Sequence, residues 1–307
     1  MNVYKVFFNH SININKISTF TKTDIIDMKY LYTLLTFMSA HTAFSQTDLF
    51  VSDNALTYVY VDGTIFNDTP ISPLVSSTNA PLFVTGNITL EDENSFIYLR
   101  NDGQLLQSVA STGNSGLGDL SVYQEGNVSA YEYNYWCSPI GSKTASTVSN
   151  PFGVSLLNDV LDVTQSTPAA VLAHPDRNGV ADPLEIDQRW IYTYTSSNLY
   201  SAWNFIGNNI TIAPGYGFTM KGTNGTSVNN PGNAQRYDFR GKPNTGTFAV
   251  PVAAPVGPLP EDRQQTLVGN PYPSALDARA YLYDDENAAA IFPALYYWEQ
   301  AATGSHF

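Results

Sequence analysis

Cysteine is nearly missing from this chain: 307 residues carry a single one, Cys137. An intrachain disulfide is thereby excluded, so stability must come from a packed core and not from covalent staples. Cations are scarce too. There are 14 Lys and Arg against 27 Asp and Glu, for a formal net charge of −13. A surface of that sign repels phosphate backbones, which sets nucleic acid aside as a partner. Of the 4 histidines, only His174 and His306 lie beyond residue 46. The sequence has no Gly-x-Ser-x-Gly turn, no Gly-rich phosphate loop, no Cys-x-x-Cys and no His-x-x-x-His pair. Nucleophilic hydrolysis, phosphate-loop chemistry and zinc-type sites therefore lack their signatures. Cys137 itself ends the aromatic stretch Tyr131–Cys137 with no histidine near it in sequence, which predicts an inert, buried thiol.

No apolar run approaches the roughly 20 residues that cross a bilayer. The longest candidate, Tyr30–Met38, follows Met28-Lys29 and precedes Ala43-Phe44-Ser45. A basic start, a short apolar stretch and a small-x-small site are the parts of a secretory signal peptide. We therefore assign 28–45 as signal peptide and the Sec export machinery as its partner. Residues 1–27, polar and without clean periodicity, read as a start placed too early or as an extended leader. Fold reasoning begins at residue 46.

What remains is rich in aromatics, with 20 Tyr and 16 Phe in the whole chain, and only 13% of residues are charged. Aromatic and β-branched residues among Asn, Thr, Ser and Gly predict strands joined by polar turns, an all-β fold. Residues 46–130 carry a loose repeat: short alternating strands, each followed by a glycine turn. The glycines at 63, 86, 103 and 126 lie 23, 17 and 23 residues apart. Such a period suits either the rungs of a β-solenoid or a run of hairpins, and a solenoid this short needs its open end covered by the residues after 130. A flexible surface loop is expected over Ser108–Asp119.

Residues 131–307 read as a β-sandwich or jelly roll, with many short strands between turn signals. Strands are predicted over Tyr131–Cys137, Arg189–Thr195, Trp203–Ile206, Tyr216–Lys221, Arg236–Arg240, Gly246–Pro251, Gln265–Val268 and Ala294–Glu299. Short helices are predicted near Asn150–Leu161 and over Ser274–Tyr283, the latter capped by Ser274.

Several segments of this block carry a resemblance: Tyr131–Gly141, Ile212–Gly222, Tyr237–Gly246, Leu267–Asp277 and Leu295–Glu299. Their order and spacing resemble a domain type of secreted, surface-exposed exoproteins of Bacteroidetes, especially flavobacteria. The resemblance covers nearly all of 90–307. It implies export by the type IX secretion route, usually with a C-terminal sorting domain. This chain stops at Phe307 without one, which reads as truncation, and a chain truly ending there would be periplasmic.

Candidate sites are few. Asp176, Asn178 and Asp182 surround a Gly turn, and closely spaced hard oxygens of this kind can hold Ca²⁺. Asp284-Asp285-Glu286 forms a second acidic cluster, expected to be a solvated loop. Glu132, Glu185, Asp187 and Glu299 are the acids nearest aromatic strands, the type of pair that glycoside hydrolysis requires, though sequence fixes no distance between them. Trp136, Trp190, Trp203 and Trp298 offer rings for stacking on sugars, with Trp136 and Trp298 expected in the core. Tyr216, after Pro214-Gly215, is the candidate glycan contact. Together these features predict a secreted or cell-surface structural or adhesive module without catalytic activity. The alternative is a carbohydrate-binding module or glycan-active hydrolase.

Overall fold

The computed structural model describes residues 48–51, 58–62, 81–108, 111, 113–126, 128–143, 150–173, 179–224 and 235–297. The leader, the signal peptide, Asp176, Asn178, Trp298 and Glu299 lie outside them. Strands dominate, with two short α-helices, so the fold is all-β.

The first eight strands are β1 (Leu49–Val51), β2 (Tyr58–Asp62), β3 (Leu82–Val84), β4 (Ile88–Leu90), β5 (Phe96–Arg100), β6 (Leu105–Gln107), β7 (Ser115–Gly116) and β8 (Asp119–Glu125). All their pairings with one another are parallel. β3 pairs with β6, β4 lies between β1 and β7, and β5 lies between β2 and β8. Hairpins would pair antiparallel, so the repeat is a three-faced solenoid. One rung separates Leu82 from Leu105 and Phe96 from Asp119, 23 residues in each case. The inward positions Ile88, Leu90, Ile97, Leu99, Leu105 and Leu120 are essentially without solvent contact.

The stretch predicted as a surface loop holds β7 and a buried Asn114 instead. The Asn114 side chain accepts from the Ile88 N–H at 2.9 Å and donates to the Pro243 carbonyl at 2.9 Å. It is a polar rung inside the coil, satisfied as a buried amide must be. At Asn101-Asp102-Gly103 the left-handed conformation is taken by Asn101 (φ 48°) and Asp102 (φ 64°), residue types that tolerate it, and not by the glycine.

The next strands are β9 (Tyr133–Trp136), β10 (Ile140–Gly141), β11 (Leu157–Val160), β12 (Ser166–Pro168), β13 (Ala170–Leu172), β14 (Gly179–Val180), β15 (Glu185–Asp187), β16 (Tyr192–Tyr194), β17 (Trp203–Phe205), β18 (Phe218–Lys221), β19 (Thr223–Asn224) and β20 (Arg236–Pro243). The longest, β20, lies antiparallel along β8, from Arg236 opposite Glu125 to Gly241 opposite Leu120. This pairing covers the open edge of the solenoid. It continues through β11 and β12 into a 7-stranded sheet that crosses the boundary expected at residue 130.

A 4-stranded antiparallel sheet, in the order β17-β16-β18-β9, packs against the β20 face. Alternation along each strand decides the contact. Tyr237 and Phe239 of β20 meet Trp136 of β9, with ring centroids 5.6 and 5.8 Å apart. Phe152 stacks between Phe218 of β18 and Phe239 at 5.4 and 5.7 Å. Trp136 is thus a core residue, as expected from the sequence. Solenoid interior and sandwich interior form one hydrophobic cluster.

Several local expectations fail. The stretch predicted helical near Asn150–Leu161 contains a 3₁₀ turn at Val154–Leu156 and then β11, because Leu157 and Asn158 pair with Phe239 and Asp238 of β20. Arg189–Thr195 divides into a 3₁₀ turn, Gln188–Trp190, and β16. Gly246–Pro251 forms no strand, Gln265–Val268 contributes only isolated bridges, and 294–297 are irregular. The second helix, α1 (Ala278–Tyr283), starts later than predicted. Its cap is Asp277, which accepts from the Arg279 and Ala280 N–H groups at 2.8 and 3.0 Å, and not Ser274. The acidic cluster begins α2 (Asp285–Ala290), where Asp284 accepts from the Glu286 and Asn287 N–H groups at 3.1 and 3.3 Å. No helix among the described residues is long and apolar enough to cross a membrane.

Candidate functional site: an aromatic sheet face

In β18 and β9, register and alternation send Phe218, Met220, Asn134 and Trp136 inward and leave Thr219, Lys221, Tyr133 and Tyr135 on the other side. On β16 and β17 the residues in line with them are Tyr192, Tyr194, Phe205 and Trp203. The outer face of the 4-stranded sheet is therefore paved with rings. Tyr192 meets Phe205 at 5.6 Å, and Tyr194 meets Trp203 at 5.0 Å. These rings are tilted by 63° and 54° and do not form one flat plane. Phe205 is 52% exposed and Tyr200, at the edge of the face, 86%. Tyr133, Tyr135, Tyr192, Trp203 and Trp190 are half-buried.

A second layer rises over one end of the face. Asp187, at the close of β15, accepts from the Arg189 N–H at 2.9 Å and so caps the turn Gln188–Trp190. Thr219 Oγ1 donates to the Trp190 carbonyl at 3.1 Å and ties that turn to β18. Trp190 then stands edge-on to Tyr133, with ring centroids 6.1 Å apart. Lys221 Nζ lies 3.8 Å from the Trp190 centroid and 5.3 Å from that of Tyr133, and the Arg189 guanidinium carbon lies 4.1 Å from the same indole. Cations over ring faces at such distances are attracted by the ring quadrupole.

The electrostatics follow from this crowding. Burial, and then the neighbouring phenols of Tyr192, Tyr200 and Tyr135, hold the Tyr133 hydroxyl well above its usual range. Burial, and then Tyr200, raise Tyr135. Burial, and then the Arg189 charge, hold the Lys221 ammonium below its usual range, with Asp187 acting in the opposite sense. The face thus presents neutral phenols and two fixed cations.

Residues 171–306 match a family described as a domain of unknown function, DUF8693. No curated protein and no solved structure matches the chain. The match takes in β16–β18 and the Gln188–Trp190 turn but leaves out β9 and the solenoid.

The residues singled out from sequence separate in space. Tyr216 does not reach the aromatic face: it is half-buried against the core, beside Phe152, Ile212 and Asn244. Trp190 and Trp203 do lie on the face. Asp187 is committed to capping, and the Glu132 carboxylate accepts from the Ser129 N–H and Oγ, both at 3.3 Å. Asp182 is exposed, in a cis peptide with Pro183. Among the described residues no group of three or more His, Cys, Asp or Glu side chains is gathered as a metal site would need. Cys137 is half-buried, and enclosure of its sulfur pushes the thiol up to about 12. Sequence reading missed Tyr133, Tyr135, Tyr192, Phe205 and Lys221 as partners. Their alternation within predicted strands was the available signal, but it does not say which face is covered.

Proposed function

We propose that this chain is an exported, non-catalytic β module that binds glycans through the outer face of its 4-stranded sheet. The observation that carries this reading is the aromatic paving itself. Phe205 and Tyr200 stand exposed beside half-buried Tyr133, Tyr135, Tyr192 and Trp203, and partly open apolar patches of this kind mark interaction surfaces. Pyranose rings offer apolar C–H faces to stack on such rings, while the tyrosine hydroxyls and Lys221 satisfy sugar hydroxyls at the rim. The tilted ring pairs fit a single flexible saccharide chain better than a flat crystalline surface. The signal-type segment at 28–45 and the resemblance to flavobacterial surface exoproteins both favour a place outside the cell, where such ligands are found.

Affinity electrophoresis of the full chain through gels containing soluble polysaccharides tests this directly. Retardation by at least one polysaccharide is expected, with free mobility restored by Trp190→Ala and an unchanged melting temperature for that variant. Unaltered migration across neutral and acidic polysaccharides alike would overturn the reading. Release of reducing ends from a retarding polysaccharide would move it to the hydrolase alternative.

A further inference from the structure

Two cations converge on one indole at the end of the aromatic face, in a protein whose formal net charge is −13. Arg189 has Asp187 beside it, at 3.8 Å. Lys221 has no carboxylate within 4.0 Å among the described residues; its neighbours are the rings of Trp190 and Tyr133 and the charge of Arg189, with the Asp187 carboxylate acting from farther off. Placing two like charges against one ring works against the stability of the free protein. The sheet also fixes the position of Lys221, because its backbone is paired with Tyr133. A half-exposed ammonium held in place by aromatic faces, with no carboxylate within 4.0 Å among the described residues and Asp187 acting on it only from farther off, is pre-organised for an anion. Ring faces beside it would orient a sugar so that a substituent on the pyranose reaches Nζ.

Resting on the glycan-binding reading above, we infer that the ligand is an acidic polysaccharide, whose uronate carboxylate or sulfate ester binds Lys221 and Arg189 while its sugar rings stack on the exposed rings of the same face, Tyr200 and Phe205. Net repulsion between a polyanion and the rest of this acidic surface makes the local cation pair decisive, so binding by diffuse charge does not mimic the effect.

The experiment is affinity electrophoresis of the full chain in matched pairs of gels. One pair holds polygalacturonate and its fully methyl-esterified form; the other holds dextran sulfate and dextran. Retardation is expected at about tenfold lower concentration of the charged member, the size expected for one charge-assisted contact. The pair that shows it separates carboxylate from sulfate as the source. Lys221→Met should erase the preference for the charged member, and Lys221→Arg should keep it, which separates loss of charge from loss of fold. Equal retardation by both members of each pair would overturn this inference and leave the glycan reading standing. A preference that survives in Lys221→Met would also overturn it. No retardation in any gel would remove the glycan reading itself.

Discussion

Ser121 and Asp238, separated by 117 positions in sequence, are joined by a 2.6 Å hydrogen bond in which the serine hydroxyl donates and neither residue touches solvent. This contact lies on the face of the 7-stranded sheet opposite the core, where the solenoid strand β8 meets β20. Around it, Asp238 also accepts from Ser166 Oγ at 2.5 Å and Arg240 Nε at 2.6 Å. Arg100, 2% exposed, donates to the Ser121 carbonyl and hydroxyl at 2.9 and 2.8 Å and to the Val163 carbonyl at 2.7 Å. The tip of the β11–β12 hairpin is thereby clamped over the solenoid face.

Asp238→Ala should destabilise the protein by about 3–5 kcal/mol, because it removes the carboxylate partner of the half-buried Arg240 guanidinium and the acceptor of the Ser121 and Ser166 hydroxyls. Ser121→Ala, which removes one neutral partner, should cost about 1–2 kcal/mol. Urea unfolding of the two variants checks both. Equal effects would mean that the charge of Asp238 is not what the network depends on.

Gly116 sits at φ +92°, where an added Cβ would fall 1.7 Å from the Leu90 carbonyl oxygen of the neighbouring rung. That oxygen is backbone and cannot turn aside. Gly116→Ala should therefore lower stability by at least about 2 kcal/mol. Gly153→Ala, whose nearest atom is 3.6 Å away, should change it by less than about 1 kcal/mol. Thermal melts of the pair measure how closely the solenoid rungs are stacked.

Alkali should unfold this protein in two stages. Cys137 is raised from 9.0 to about 12 by burial, so the unfolded chain loses that proton first and stability falls as pH rises from 9 towards 12. Tyr237, wholly buried, is raised above its ordinary 10.0 and adds to the loss beyond that pH. The melting temperature should hold between pH 7 and about 8.5 and decline above it. Cys137→Ala should delay the decline to about pH 10. A melting temperature flat through pH 11 would contradict the enclosure of both groups.

The strands of 131–307 were legible where alternation was clean, as in Arg236–Arg240 and Tyr216–Lys221, because a strand buried on one face must alternate. The solenoid period was legible from glycine spacing, but its parallel pairing was not, since hairpins give the same local pattern. The helix expected near Asn150–Leu161 does not form because β11 gains its structure from β20, more than seventy residues on. At the site, Trp190 and Trp203 were candidates from type alone. Tyr216 was misplaced because the turn before it resembles a loop, while its parity with Phe218 turns it inward.

Composition and local patterning were enough to establish that the chain is all-β, that no disulfide within it can hold it, that its charge disfavours nucleic acid, and that a rung-like period runs through its first half. These are properties of composition and local alternation, which every strand carries wherever it pairs. Long-range pairing set which strands are neighbours, that β20 lies along the solenoid strand β8, and that one sheet carries a partly exposed aromatic face with Lys221 and Arg189 beside Trp190. Those outcomes depend on which face of each sheet another layer covers, and that is set by contacts between residues far apart in the chain.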